Sequence, residues 1–490
     1  MASTQRQGSL GPCLVVFALL SGCTLAATSP RYLSVGIDEL ISSKARVSCY
    51  DPDTHTATVA PSGNKLAIHP ACSSGSDFQQ AGLQNDILLH DSARLTTLLQ
   101  RSALASSNDM VMAPAPDIGR IPWPSVAAPA EAPSVTIPDR TGTSLDTLEF
   151  VVVVGFGTPA RSSAIMFDTG SDISWIQCQP CSGHCYPQHD PIFDPTKSTT
   201  YKAVPCGTPE CMAAGGQCNA TTCLFSVLYG DGSSTSGVLS QETLSFSSSR
   251  TFPSFAFGCS EQNDGGFGEV DGLLGLGRGQ LSLPSQAAPS FGGTFSYCLP
   301  SFNTTPGYLS IGSTPVSGNK QVQYTAMVKK PEYPSFYFVE LVSINIGGYV
   351  LPVPPSLFTN GGTLLDSGTI LTYLPAAAYT SLRDRFKFTM KGNKPAPAYD
   401  ILDTCYDFTG QSAIFIPAVS FIFSDGAVFD LNFYGIMIFP DPSKPAIGCL
   451  AFVSRPTAMS FSIVGNTQQR STEVIYDVTA QKIGFVPFSC

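Results

Sequence analysis

Two short stretches of the sequence place an acidic residue directly after an apolar run and directly before a small hydroxyl residue and a glycine. They are Ile165-Met166-Phe167-Asp168-Thr169-Gly170-Ser171 and Thr363-Leu364-Leu365-Asp366-Ser367-Gly368-Thr369. One such tripeptide is expected by chance in 490 residues, but two copies with matching surroundings are not. The glycine of each copy lets the backbone turn sharply just after the carboxyl group. Carboxyl groups repeated in this way are candidates for general acid–base chemistry.

A carboxyl group that follows apolar strand residues is turned toward the interior, where it needs hydrogen-bond partners. The adjacent hydroxyl, Thr169 or Ser367, is one candidate partner in each copy. The hydroxyl three positions after the aspartate, Ser171 or Thr369, is the other.

With three further motifs, the sequence resembles the pepsin-like aspartic peptidases, and within them the plant nepenthesin-like group. The resemblance covers about residues 145 to 490, and its motifs are DTGSDISW at 168–175, YGDGS at 229–233, DGLLGLG at 271–277, DSGT at 366–369 and FSIVGNTQQR at 461–470. It implies a bilobal fold of two β-rich half-domains, with the active site in the cleft between them.

The composition also favours a mostly β protein. Charged residues are only 13% of the chain, while 44 glycines and 39 prolines interrupt short apolar runs such as 151–154. From residue 148 onward, the best helix candidate is 376–387. Two apolar-apolar-glycine elements, 273–275 and 463–465, repeat like the aspartate motifs. The resemblance implies that each crosses its aspartate motif to form a compact substructure.

The resemblance implies that Asp168 and Asp366 act together on a bound water. Two carboxyl groups held close share one proton, because like charges at short range raise one pKa strongly. The ionised carboxyl takes a proton from the water, which attacks a peptide carbonyl, while the protonated one donates toward the developing oxyanion. The family pattern also implies hydrogen bonds across the half-domain interface from Thr169 and Ser367, and bonds to the outer carboxylate oxygens from Ser171 and Thr369.

A flap that closes over substrate is implied at Tyr229-Gly230-Asp231-Gly232-Ser233. Glycines suit the turn of such a hairpin, and the tyrosine can pack and form a hydrogen bond. Trp175 is its hydrogen-bonded neighbour in the family, so Tyr229, Gly230, Asp231 and Trp175 are interpreted as flap and substrate-binding residues.

The N-terminal part of the chain indicates a precursor. An apolar run at 13–20 after Arg6, followed by small residues, predicts a secretory signal, and the alternative is a plastid transit peptide. Leucine spacing predicts a helix over 91–101, and a Pro- and Ala-rich stretch follows. The expected segments are a signal peptide at 1–27, a prosegment at 28–112, a linker at 113–144, an N-terminal catalytic lobe with a Cys-rich insertion at 145–333 and a C-terminal lobe at 334–490. A permanent N-terminal domain is the alternative to a removable prosegment, whose removal would put the mature N-terminus within about 112–140.

Sixteen cysteines indicate an oxidising compartment. We expect the twelve after residue 150 to form six disulfides. The resemblance suggests Cys405 with Cys449 and Cys298 with Cys490, and leaves the other eight open. The spacing of Cys178, Cys181 and Cys185, with His184 and His189 nearby, could alternatively bind zinc. In a secreted chain such thiols are usually oxidised, so no metal is expected.

The resulting hypothesis is a secreted aspartic endopeptidase that cleaves protein or peptide substrates at acidic pH, needs no cofactor and acts as a monomer. A net charge of −10 argues against nucleic acid and anionic membranes as partners, and no apolar run is long enough for a membrane span. Vacuole and plastid are alternative locations. Asn219 and Asn303 begin glycosylation tripeptides.

The main alternative is a binding protein on the same fold that has lost catalysis, like plant xylanase-inhibitor-like relatives. Those proteins typically break a catalytic motif or alter the flap. Both aspartate motifs and Tyr229 are intact here. Serine or cysteine peptidase chemistry has no recognisable signature in the chain.

Overall fold

The computed structural model describes residues 32–36, 134–141, 145, 147, 149–229, 232–301, 307–312, 321–441 and 443–490. Within these residues strands far outnumber helices, which confirms the prediction of a mostly β fold. In chain order the strands are β1 (Tyr32–Gly36), β2 (Val135–Thr141), β3 (Phe150–Phe156), β4 (Arg161–Asp168), β5 (Trp175–Gln177), β6 (Lys202–Ala203), β7 (Cys218–Asn219), β8 (Thr222–Leu228), β9 (Ser234–Ser247), β10 (Arg250–Asp264), β11 (Gly272–Gly275), β12 (Thr294–Cys298), β13 (Gly307–Ile311), β14 (Gln323–Ala326), β15 (Phe338–Val339), β16 (Leu341–Ile346), β17 (Tyr349–Val350), β18 (Thr363–Leu365), β19 (Thr372–Leu374), β20 (Lys394–Ala396), β21 (Cys405–Asp407), β22 (Ala413–Pro417), β23 (Val419–Phe423), β24 (Val428–Asp430), β25 (Met437–Ile438), β26 (Ile447–Leu450), β27 (Phe452–Ser454), β28 (Ser462–Val464), β29 (Thr472–Asp477) and β30 (Lys482–Pro487).

Helices in the described residues are short, apart from one. They are α1 (Pro209–Ala213), α2 (Leu283–Phe291), α3 (Ser356–Thr359), α4 (Ala376–Thr389), α5 (Phe433–Ile436) and α6 (Asn466–Gln469), with a 3₁₀ turn at Pro195–Lys197. The helix predicted over 376–387 is confirmed as α4, which buries Ala378, Leu382 and Phe386 at a spacing of four residues on one face. None of these helices has the length and apolar character that crossing a membrane requires.

One large sheet contains strands from both halves of the chain. Its order is β14-β30-β29-β12-β13-β2-β3-β4-β11-β5-β10-β9-β8-β7, and β6 pairs with β9. The C-terminal hairpin of β29 and β30 enters this sheet beside β12, where Thr294 lies opposite Asp477 and Cys298 opposite Glu473. Smaller sheets of order β15-β18-β28-β19-β27, β17-β16-β23-β24 and β20-β21-β26-β25 belong to the C-terminal half. Backbone hydrogen bonds therefore join the two halves directly.

The buried apolar side chains follow the same arrangement, since the largest core cluster takes members from both halves. Phe295 of β12 stacks on Tyr476 of β29 with ring centres 4.5 Å apart. Tyr337 meets Tyr476 edge-on at 4.6 Å. Aromatic packing thus reinforces the shared sheet at the centre of the molecule.

The repeated motifs form matching substructures. Strand β4 pairs in parallel with β11, which puts Asp168 opposite Gly275, and β18 pairs in parallel with β28, which puts Leu365 opposite Val464. The expected crossing of each aspartate motif by its later apolar-apolar-glycine element is therefore present. A Cβ atom on Gly275 or on Gly465 would lie 2.4 Å from a backbone carbonyl oxygen, so this crossing needs glycine at both positions.

All twelve cysteines after residue 150 are paired. The pairs are Cys178–Cys259, Cys181–Cys185, Cys206–Cys218, Cys211–Cys223, Cys298–Cys490 and Cys405–Cys449. The last two are the pairs that the resemblance implies, and the first four supply the connectivity that the sequence left open. Because Cys178, Cys181 and Cys185 are all in disulfides, their sulfurs are not the thiolates that a zinc site needs.

A strand lies at the C-terminal end of the segment predicted as a linker over 113–144. Residues 135–141 form β2, which lies between β13 and β3 in the shared sheet, and Val135 and Ile137 are buried. Their alternation puts both apolar side chains on one face of the strand, a short signal that the surrounding prolines obscured.

Strand β1 lies inside the segment predicted as a prosegment and pairs with β22 of the C-terminal half. The predicted signal peptide, the helix predicted over 91–101, Gly230, Asp231 and Asn303 lie outside the described residues.

Candidate active site

The two aspartates occupy equivalent positions at strand ends. Asp168 ends β4, and Asp366 directly follows β18. Both are buried, with 2% and 0% of their surface exposed. In each loop a backbone N–H two residues on donates to a carboxylate oxygen, from Gly170 to Asp168 Oδ1 at 2.9 Å and from Gly368 to Asp366 Oδ1 at 3.2 Å. These bonds orient both carboxyl groups and stabilise a negative charge on them.

A ring of four hydrogen bonds ties the two loops together. The Thr169 N–H donates to Ser367 Oγ at 3.1 Å, and the Ser367 N–H donates to Thr169 Oγ1 at 2.9 Å. Each hydroxyl donates in turn to a carbonyl of the opposite strand, Thr169 to Leu365 at 3.4 Å and Ser367 to Phe167 at 3.3 Å. All four groups lie in the interior, where a lost partner leaves a costly unpaired group. Residues 198 positions apart are thereby held in one register.

The outer support of the two carboxyl groups is not symmetric. Thr369 Oγ1 donates to Asp366 Oδ2 at 2.5 Å, as the resemblance implies. The equivalent bond from Ser171 to Asp168 is absent, and the buried Ser171 hydroxyl has no hydrogen-bond partner among the described residues. The bond expected from Ser171 to Asp168 is therefore not formed in this structure.

A second pair of hydroxyls, not anticipated from the sequence, supports the crossing elements. Ser174 Oγ accepts from the Gly275 N–H at 3.0 Å, and Thr372 Oγ1 accepts from the Gly465 N–H at 3.2 Å. Both residues stand six positions after their aspartate, so the repeated spacing was a usable signal.

Side chains of α6 support the loop that carries Asp366. Gln469 Nε2 donates to the Asp366 carbonyl at 3.3 Å and to the Val464 carbonyl at 3.0 Å. Asn466 Nδ2 lies 3.0 Å from both the Ser367 carbonyl and Glu149 Oε2. Glu149 precedes β3 in the other half of the chain, so this contact adds a second polar connection between the halves.

Arg470 brings a positive charge into the same interior. It is 5% exposed, and its guanidinium lies over the Phe150 ring at 5.8 Å. Burial lowers the pKa of Arg470 to about 10, and the negative charge of Glu149 opposes this decrease. The motif at 461–470 was recognised in the sequence, but no role was assigned to its polar side chains.

Tyr229, the tyrosine of the expected flap, makes the hydrogen bond to Trp175 that the resemblance implies. Trp175 Nε1 donates to Tyr229 Oη at 2.6 Å, and both side chains are buried. Tyr229 follows β8, and its N–H donates to the Ser233 carbonyl at 2.8 Å to close the turn toward β9. Phe267 meets Trp175 edge-on at 5.0 Å and Tyr229 edge-on at 5.8 Å. Phe267 was not identified from the sequence, which gives no local signal for this contact.

A buried polar network attaches the Cys-rich insertion next to Trp175 and Tyr229. The side chain of Gln177 donates to the Tyr186 carbonyl at 3.0 Å and to Gln188 Oε1 at 2.7 Å. Gln188 Nε2 donates to Asp271 Oδ1 at 3.0 Å, and Tyr186 stacks on Phe267 at 5.5 Å. The insertion therefore continues the wall behind Trp175 and Tyr229.

Asp271, the first residue of the DGLLGLG motif, is the deepest acid of this network. It is 1% exposed, and the Ala164 N–H donates to its Oδ2 at 3.1 Å. Burial raises the pKa of Asp271 to about 8, and the negative charge of Asp190 contributes to this increase. Hydrogen bonds from Ser163, Ala164 and the Asp190 backbone lower the pKa and offset part of the increase. The carboxyl group therefore keeps its proton in the folded protein at acidic pH.

Residues 150–313 match the family described as xylanase inhibitor N-terminal, and residues 336–487 match xylanase inhibitor C-terminal. Aspartyl protease AED1 of Arabidopsis thaliana is 35% identical over 440 residues, which cover 90% of this chain and 89% of the relative. Aspartyl protease family protein 2 of the same plant is 40% identical over 361 residues, covering 71% and 73%. Aspartic proteinase nepenthesin-2 of Nepenthes gracilis is 36% identical over 351 residues, covering 70% and 78%.

Solved structures give the same architecture. Soybean basic 7S globulin superposes with a TM-score of 0.58 at 21% identity, covering 72% of this chain and 96% of that chain. Lupine conglutin gamma superposes with a TM-score of 0.58 at 21% identity, covering 73% and 95%. At this identity the likeness establishes the bilobal fold alone.

Ser367→Ala should lower the free energy of unfolding by about 1–3 kcal/mol, because the buried Thr169 N–H loses its acceptor. Ser367→Thr keeps the hydroxyl and is the matched control, with a loss below about 1 kcal/mol if the added methyl is accommodated. Denaturant unfolding of the three proteins measures the difference. Equal stability of the alanine and threonine variants would contradict the importance of the bonded ring.

Asp271 should make the folded protein lose stability as the pH rises. An acid with a folded pKa of about 8 and an unfolded pKa near 3.9 holds its proton only in the folded state between these values. Its contribution is therefore complete below about pH 4 and is lost up to about pH 8, by on the order of a few kcal/mol.

Asp271→Asn should flatten this slope even though it weakens the network at every pH. Unfolding free energies from pH 4 to 8 measure the slope for wild type, Asp271→Asn and the exposed control Asp384→Asn. Any contribution of Asp168 and Asp366 is common to the three proteins and cancels. An unchanged slope in Asp271→Asn contradicts the raised pKa.

Proposed function

The chain belongs to the pepsin-type aspartic proteases, in their plant nepenthesin-like group, and we propose that it is a secreted endopeptidase that uses Asp168 and Asp366 as a catalytic dyad at acidic pH. The observation that carries this proposal is the ring of bonds between Thr169 and Ser367, which holds two buried, equivalently oriented aspartate loops against each other. The protease names of relatives at 35–40% identity support a peptidase. Its substrates would be proteins or peptides.

The proposed reaction adds water across a peptide bond. One carboxyl of the dyad is ionised and takes a proton from the attacking water, whose oxygen bonds to the carbonyl carbon. The other carboxyl gives its proton to the carbonyl oxygen, and a tetrahedral diol results. Collapse of the diol breaks the C–N bond while a proton passes to the leaving nitrogen. No covalent enzyme intermediate forms, and one proton on the dyad is restored at the end of the cycle.

The residues around the dyad would have positioning roles. The Gly170 and Gly368 N–H groups orient the carboxyl groups, and Thr369 fixes the outer oxygen of Asp366. Tyr229, held by Trp175, would close over the substrate together with Gly230 and Asp231 of the flap. The Thr369 hydroxyl bond would favour the ionised form of Asp366.

A binding protein without catalysis is the second candidate, since the matched family models carry the name of a xylanase inhibitor. The intact and cross-bonded aspartate loops favour the peptidase. A purified protein that inhibits a xylanase and hydrolyses no denatured protein would favour the inhibitor instead.

The precursor organisation remains a proposal: a signal peptide at 1–27, a removable segment from 28 and two lobes at 145–333 and 334–490. Strand β2 supports a mature enzyme that retains residues 135–141, because the strand pairs within the shared sheet and Val135 and Ile137 are buried. Passage through the secretory pathway would permit glycosylation of Asn303 and of Asn219, which is exposed beside a turn.

Asp168→Asn and Asp366→Asn should each lower kcat at least about 100-fold without unfolding the protein, because one carboxyl cannot serve as both acid and base. Hydrolysis of a denatured protein, with and without pepstatin, is measured from pH 2 to 8. Asp384→Asn is the matched exposed control and should behave like wild type.

Wild-type activity in this series should be highest at acidic pH and fall toward neutrality, since the dyad must keep one proton. Near-normal turnover of either dyad variant contradicts the mechanism. A wild-type rate that stays constant up to pH 8 contradicts the shared proton.

The mature N-terminus should lie between residues 113 and 134, before the buried strand β2. N-terminal sequencing of the protein from its native source measures it directly. A start near Thr28 would refute processing, and a start after Val135 would show that β2 is dispensable.

A further inference from the structure

Strand β1 completes a sheet that otherwise has a single strand. Tyr32–Gly36 pairs antiparallel with Ala413–Pro417 of β22 over five residues, with Val35 opposite Ile414 and Leu33 opposite Ile416. Among the described residues, β22 has no other strand partner. Its backbone N–H and C=O groups on this edge therefore depend on β1 for pairing.

The two faces of this strand pair differ sharply. Val35 is 7% exposed and belongs to the main core cluster, and Leu33 packs against that cluster. Their cross-strand partners Ile414 and Ile416 are fully buried. On the outer face Tyr32 and Phe415 are 50% and 59% exposed. Alternation of this kind fixes the register, because a shift of one residue would expose Val35.

Strand β1 also packs against α5, the short helix Phe433–Ile436. The Asn432 side chain caps α5 and donates to the Arg470 carbonyl at 2.5 Å. Gln468 Nε2 of α6 donates to the Gly435 carbonyl at 2.9 Å. The strand thus covers a helix that is bonded to the support of the Asp366 loop.

Residues 32–36 lie in the segment that the proposed processing removes. Once this segment leaves, the edge of β22 that pairs with β1 would be open, and Ile414 and Ile416 of β22 would lose their apolar neighbours Val35 and Leu33. An open edge of this kind can pair with another extended chain through main-chain hydrogen bonds. Alternate side chains of that chain would pack beside Ile414 and Ile416, and this buried apolar position is here called the apolar seat.

We propose that β22 is a docking site for an extended peptide, that Tyr32–Gly36 occupies it in the precursor, and that release of the N-terminal segment opens it. This inference rests on the proposed processing of the precursor for its last step only. A suitable peptide has apolar side chains at two positions two residues apart, as Leu33 and Val35 do, and tolerates polar residues between them. Within the precursor the tether keeps the strand at a high local concentration, which cleavage abolishes.

The test is amide hydrogen exchange of residues 413–417 in the full chain, read by mass spectrometry. Val35→Asp puts a charge into the apolar seat and should speed exchange of β22 by at least about tenfold. Ser34→Asp is the matched control on the exposed face and should leave exchange unchanged. Exchange in β4 and β18 verifies that both variants keep the catalytic lobes folded.

Rescue in trans tests the docking site itself. A synthetic peptide of residues 28–37, added at millimolar concentration to the Val35→Asp chain, should restore the protection of β22. The same peptide with Val35→Asp should not. Continued protection of β22 in the Val35→Asp chain, or failure of the wild-type peptide to restore it, overturns the proposal. Because no readout uses hydrolysis, these outcomes are independent of the proposed peptidase activity.

Discussion

The reciprocal hydrogen bonds between Thr169 and Ser367 are the constraint on which the rest of the site depends. Each side chain accepts from the backbone N–H of the other loop and donates to a carbonyl of the strand that precedes that loop. A buried ring of this kind tolerates little displacement, because any movement leaves unpaired polar groups in a dry interior. The position of each carboxyl group is therefore set by the opposite half of the chain.

Several larger features keep the two loops close enough for that ring to form. The hairpin of β29 and β30 pairs beside β12, the Cys298–Cys490 disulfide joins β12 to the chain end, and Phe295 stacks on Tyr476. Asn466 adds a polar contact to Glu149 across the halves. The glycines at 275 and 465 then let the crossing elements approach to distances that a side chain would forbid.

The similarity of the two halves does not extend to every side chain around the aspartates. Asp366 receives a hydroxyl donor from Thr369 and backbone support from Gln469, whereas Ser171 provides no equivalent bond to Asp168. In the N-terminal half, Tyr229 contacts Trp175 and Phe267. The Cys-rich insertion is bonded next to them through Gln177 and Gln188. Two motifs of similar sequence thus have different neighbouring side chains.

The sequence by itself determined the features that follow from local pattern: the aspartate turns, the mostly β class and a helix over 376–387. Each depends on spacing within a few residues or on repetition of such a spacing. Only the tertiary structure decided how the eight cysteines of the N-terminal lobe pair with one another and that residues 135–141 form a strand of the shared sheet. It also decided that Thr369 but not Ser171 bonds to its aspartate, and that β1 pairs with β22. Glu149 and Asn466 meet although 317 positions separate them. Contacts of this kind are fixed by how strands and loops pack in space, and no periodicity along the chain records which distant side chain will be the partner.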